Sequence, residues 1–132
     1  MQRKSMFSNH VVVWIDHAEA HVVHFNPESA KNEVIKTHST HPHLHVKSGI
    51  AGSGRVPENA QYFDDVAKAI KEALEILIVG PGQEKLALMK YLTKHHPETA
   101  EKVVSIETLD HPSDGQILAY ARKFFVKADR MR

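Results

Sequence analysis

Five apolar residues in a row, Val11 to Ile15, open the readable part of the chain within HVVVWID. A run with no polar alternation has no face to give to water, so His10–Asp16 is predicted as a central strand. AHVVHF, Ala20 to Phe25, is a second strand, and the few residues between the two predict an antiparallel hairpin. Asn26-Pro27-Glu28-Ser29 is turn chemistry. A third strand is expected from Asn32 to about Ser39, with Val34 on one face and Glu33 and Ile35 on the other. Its mixed pattern suits a sheet edge.

The periodicity then changes. From Pro57 to Leu74, apolar residues at Phe63, Val66, Ala67, Ile70 and Leu74 make one helical stripe, with proline and Glu58 in the first turn. EILIV, Glu75 to Val79, is a short buried strand closed by Gly80-Pro81-Gly82. A helix through Leu86, Met89, Tyr91 and Leu92 stops near His95-His96-Pro97, since the residue before proline disfavours helix. VVSIET, Val103 to Thr108, repeats the buried-strand pattern. Asp114 to Val126 forms the last helix, with Ile117, Leu118, Ala121 and Phe125 on one side and Ser113 or Asp114 as its cap.

Three strands followed by helix, strand, helix, strand, helix predict an α/β fold: a mixed five-stranded sheet, its first three strands antiparallel, with helices on its faces. This is the ribonuclease H-like arrangement. With 132 residues the chain is the size of one domain, its core expected over residues 10–126 between short basic termini.

Composition narrows the chemistry. There are no cysteines, which excludes disulfides, thiolate metal sites and cysteine nucleophiles. VVVWI is too short for a signal peptide or a membrane span, so a cytoplasmic protein without a membrane partner is expected. A net charge of +1, with 11 histidines counted neutral, neither favours nor excludes nucleic acid. Phe124-Phe125 offers an apolar patch through which copies of the chain could pair.

Four short stretches carry candidate chemistry. HSTHPHLH holds four histidines. His43 and His45 share a strand face, and His41 joins them if the strand stays regular across Pro42, a set that could take zinc or nickel against the alternative of solvated edge residues. His17, His21 and His24 repeat that choice around the first hairpin. The second stretch, Lys47 to Arg55, joins Lys47, Ser48, Gly49, Gly52, Ser53, Gly54 and Arg55 in a loop without an acid. Its glycines let backbone N–H groups approach phosphates and its two cations favour an RNA backbone. The third, Gly80-Pro81-Gly82-Gln83 with Lys85, lies between a strand end and a helix start. It could bind an anion through Gly80, Gly82, Gln83 and Lys85, or simply let strand and helix pack tightly. The fourth is Asp16, which ends the first strand. It is either a turn residue holding the hairpin or, with acids among Glu58, Asp64, Asp65, Asp110 and Asp114, a magnesium ligand of a nuclease; the strand EILIVGPG ends without the acid such a site needs. Asp110, His111 and Ser113 sit too close in sequence for a hydrolase triad and are expected to start the last helix.

Taken in order, WIDHAEAHVVHF, HVKSGIAGSGR with QYFDDVAKAI, ILIVGPGQEKLALMKYL and VVSIETLDHPSDGQILAYA resemble the central domain of archaeal and eukaryotic class-1 peptide release factors and Pelota. The resemblance covers roughly residues 10–126 and implies that the protein is a stand-alone bacterial-type relative of that domain. It implies a non-enzymatic protein of translation whose partner is the ribosome or ribosomal RNA. In release factors the equivalent loop bears a Gly-Gly-Gln that assists ester hydrolysis. Here Gly52-Ser53-Gly54 has no glutamine beside it, and Gln61 already falls in the expected helix. The resemblance therefore leaves room for ribosome binding but does not carry over the glutamine on which that mechanism of peptide release depends.

Overall fold

The computed structural model describes residues 10–37 and 57–130. Three strands come first: β1 (His10–Ile15), β2 (Glu19–Phe25) and β3 (Ala30–Lys36). They are followed by α1 (Pro57–Ile70), β4 (Glu75–Gly80), α2 (Glu84–His95), the single turn α3 (Pro97–Ala100), β5 (Val103–Thr108) and α4 (Asp114–Arg130). The strands form one sheet in the order β3-β2-β1-β4-β5, antiparallel over the first three and parallel for β1–β4 and β4–β5. The expected mixed five-stranded α/β architecture is present.

Strand alternation divides the core in two. Val11, Val13 and Ile15 of β1, with Ile76 and Ile78 of β4, face α1 and α2, meeting Tyr62, Phe63, Val66 and Ile70 and then Leu88 and Leu92. Val12 and Trp14, with Leu77 and Val79, face the other way onto Ile117, Ala121 and Phe125 of α4. This double coverage explains why β1 and β4 carry no polar interior position. Each such side chain removed from water contributes about 1.5–3 kcal/mol.

Several boundaries differ from the sequence expectation for local reasons. The third strand starts at Ala30 rather than Asn32 because Asn26 Oδ1 accepts the N–H groups of Glu28 and Ser29, completing the turn early, and Ala30 pairs with Phe25 at once. It ends at Lys36; residues 38 and 39 lie outside the described residues. The first helix ends at Ile70, not Leu74. Ala73 N–H closes onto Ile70 O, Ala73 is buried in place of the expected leucine, and Leu74 is 62% exposed. In α2 the buried positions are Lys85, Leu88 and Leu92, which turns Leu86 outward at 49% exposure. The last strand is not buried on both faces. It lies at the sheet edge, where its register against β4 shifts between Ile76 and Leu77 and leaves Val104 41% exposed.

Candidate functional site

β1 and β4 run parallel, so their carboxyl ends lie together, the place where open α/β sheets hold ligands. A cleft of about 260 Å³ opens there. One wall is Asp16 and His17 from the hairpin, the other is Pro81 to Glu84 from the turn into α2, and His111 from the chain after β5 closes the third side.

Each group is positioned by an identifiable bond. Asp16 Oδ1 accepts the N–H groups of Ala18 (2.8 Å) and Glu19 (2.9 Å), so the aspartate holds the hairpin. The backbone carbonyl of Asp16 in turn accepts the Tyr62 hydroxyl of α1 at 2.9 Å. Burial raises the Tyr62 phenol far above its ordinary range, with the charges of Asp16, Glu84 and Glu19 acting the same way, so it donates at every physiological pH. Gly80 is the point of closest strand contact: a Cβ there would stand 2.4 Å from Ile15 O. At Gly82 a Cβ would meet nothing within 4 Å. Trp14 fixes the third wall, its indole N–H donating to the carbonyls of Leu109 (3.0 Å) and Asp110 (2.7 Å), and its ring lies 5.2 Å from that of His111.

The electrostatics of this cleft differ from those of an open phosphate cradle. Lys85 is 8% exposed and its ammonium donates back to Gly82 O. Glu84 occupies the first turn of α2, and burial raises its carboxyl above the usual value; Asp16 adds to the rise while His17 opposes it. Gly80, Gly82, Gln83 and Lys85 are thus gathered at one turn, but with Asp16 and Glu84 beside them and the cation directed inward.

The hairpin histidines do not converge. His21 and His24 are on opposite faces of β2, and His17 is exposed in the cleft. His21 Nδ1 lies 2.9 Å from Asp114 Oδ1 and Nε2 2.7 Å from Glu19 Oε2, which ties β2 to the start of α4. Burial of His21 opposes its charge, but the bonds and charges of Glu19 and Asp114 outweigh that and raise its pKa above 6.5. His24 stands 3.8 Å from Glu33, and burial lowers its pKa. The acids considered for magnesium are scattered as well. Asp64 accepts from Tyr91 (3.2 Å) and pairs with His96 (2.9 Å) between α1 and α2, while Asp114 holds His21. Among the described residues no three His, Asp or Glu side chains are placed to hold a metal ion.

Ser113 is the cap of α4: its Oγ accepts Gln116 N–H (3.2 Å) while Gln116 Oε1 accepts Ser113 N–H (2.8 Å), a reciprocal capping box. Gln61 lies on α1 and donates to Asp65. His41, His43 and His45, and the loop residues Lys47, Ser48, Gly49, Gly52, Ser53, Gly54 and Arg55, lie outside the described residues. Sequence reading missed Tyr62 and Glu84. The phenol was detectable as an aromatic beside Phe63 in the first helix, whereas the placement of Glu84 in the cleft depends on the parallel β1–β4 register.

Among the described residues no helix is long and apolar enough to cross a membrane. No family model matches the chain, and no curated protein matches its sequence. Solved structures do match. Archaeoglobus fulgidus Pelota superposes with a TM-score of 0.62 at 13% identity, over 90% of this chain and 32% of that one. An archaeal translation termination factor gives 0.56 at 8% identity, over 80% and 31%. A Saccharomyces cerevisiae translation termination-like factor involved in RNA quality control pathways gives 0.51 at 14%, over 78% and 30%. The chain spans about a third of the length of these proteins. The α/β fold, of ribonuclease H-like type, is therefore one that this chain shares with a domain-sized portion of translation termination-like factors.

Proposed function

We propose that the protein is a non-enzymatic RNA-binding protein of translation that works in the cytoplasm on the ribosome and presents the loop Lys47 to Arg55 to ribosomal RNA. The observation supporting this reading is that the fold shared with translation termination-like factors is joined, between β3 and α1, by a glycine-containing segment with two cations and no acid. Lys47 and Arg55 neutralise phosphates, and Gly49, Gly52 and Gly54 let the backbone approach them. With no glutamine beside Gly52-Ser53-Gly54, the loop acts by occupying its site rather than by activating water.

Co-sedimentation with purified ribosomes at low and physiological salt tests this. Binding that weakens steeply with salt, and that the double substitution Lys47→Ala/Arg55→Ala weakens further, is expected. Absence of binding to any subunit at low salt overturns it.

A further inference from the structure

On the opposite flank from the helices α1 and α2, two hollows of about 580 and 530 Å³ lie along α4. Tyr120 and Lys123 line both, so the two are one continuous trough. The α4 side carries the row Gln116, Tyr120, Lys123 and Lys127, spaced four, three and four residues apart, with Ala119, Phe124 and Ala128 beside it. That spacing is the seam along which one helix lies against another, and over eleven residues it measures about 17 Å, or three turns. Leu109 and Pro112 add apolar lining at one end of the trough, Phe124 and Ala128 at the other.

The charges select the occupant. Lys123 and Lys127 are exposed, and among the described residues neither is in an ion pair. The wall across from them carries Glu107 and Asp110, with Glu107 accepting a hydrogen bond from Ser105. The phosphodiester backbone of an RNA lying in the trough would meet those two carboxylates. A protein helix avoids the conflict because its two flanks are chemically independent. We infer that the trough beside α4 is a docking site for an amphipathic helix of a partner protein, with apolar side chains seated in the two hollows on either side of Tyr120 and acids along the flank that faces Lys123 and Lys127. The inference does not depend on ribosome binding.

The probe is a synthetic helical peptide of about five turns with a leucine stripe, glutamate along one flank and glutamine elsewhere, titrated into the labelled full-length chain and followed by amide NMR shifts. Its counterpart carries lysine for glutamate. Saturable shifts confined to Leu109–Pro112 and Gln116–Ala128 are expected with the acidic peptide. Lys123→Glu/Lys127→Glu, two exposed changes that leave the core intact, is expected to weaken it about fivefold to tenfold and to favour the lysine peptide instead. No saturation, or shifts centred elsewhere, overturns the inference. So do shifts at these residues that follow protein concentration alone, which would mean a second copy of this chain, or shifts produced by oligouridine and not by the peptide, which would mean RNA.

Discussion

The hydroxyl of Tyr62, fully buried on α1, donates to the backbone carbonyl of Asp16 where β1 ends. This bond ties α1 to the wall of the cleft, beside the packing of Phe63, Val66 and Ile70 against the sheet. Tyr62→Phe keeps the ring and leaves a part-buried carbonyl without its donor. A loss of about 1–2 kcal/mol is expected, read as a lower urea midpoint with an unchanged slope.

Asp16 separates two roles by a pair of substitutions. Asp16→Asn retains an oxygen able to accept the Ala18 and Glu19 N–H groups and is expected to change stability by less than about 0.5 kcal/mol, whereas Asp16→Ala loses both bonds and costs about 1–2 kcal/mol. Both variants should bind ribosomes as the parent does. A magnesium-dependent nuclease activity abolished by Asp16→Asn would instead assign Asp16 to catalysis.

Two glycines separated by one proline should respond oppositely. Gly80→Ala drives a methyl group into Ile15 O between two central strands, neither of which can retreat, and is expected to cost at least about 2–4 kcal/mol. Gly82→Ala meets open space and should stay within about 0.5 kcal/mol of the parent, or gain slightly from a less flexible unfolded chain. Thermal unfolding of the two variants side by side checks both.

The pH dependence of stability has two opposed histidines in it. The folded state raises the pKa of His21, so the Glu19–His21–Asp114 contribution is full below about 6.5, the unfolded value, and fades as pH rises through the higher folded one. His24 has its pKa lowered by burial, so its neutral form is favoured and stability is lost as pH falls from about 6.5 through the lower folded value. His21→Gln should therefore flatten the decline above pH 6.5, and His24→Gln the decline below it. Urea midpoints measured from pH 5 to 8 show whether the two limbs belong to these residues.

How far the sequence could be read is clearest in particular residues. Val11 to Ile15 and Ile76 to Val79 advertise double burial by having no polar alternation, and the order of elements then leaves little freedom in the sheet. Asp16 as a hairpin residue and Ser113 as a cap were legible because their partners are two or three residues away. The contacts that build the cleft are not local. Trp14 reaches carbonyls 95 and 96 residues on, and Tyr62 one 46 residues back, distances at which periodicity carries no signal. Leu74 and Leu86 were misplaced for another reason: each extends a plausible stripe, but a helix end at Ile70 and the buried stem of Lys85 shift which positions face the sheet.

The parallel pairing of β1 with β4 also sets an order of events during synthesis. The meander β1-β2-β3 can zip up as soon as it leaves the ribosomal exit tunnel, since its partners are consecutive. The strand that completes its centre and the helices that cover its two faces, α4 last of all, are translated only afterwards. Until then Val11 to Ile15 has neither its β4 partner nor the helices that cover its two sides. The most apolar segment is therefore made well before the elements that bury it, and it is the surface that anything sheltering unfinished proteins at the tunnel mouth would have to cover.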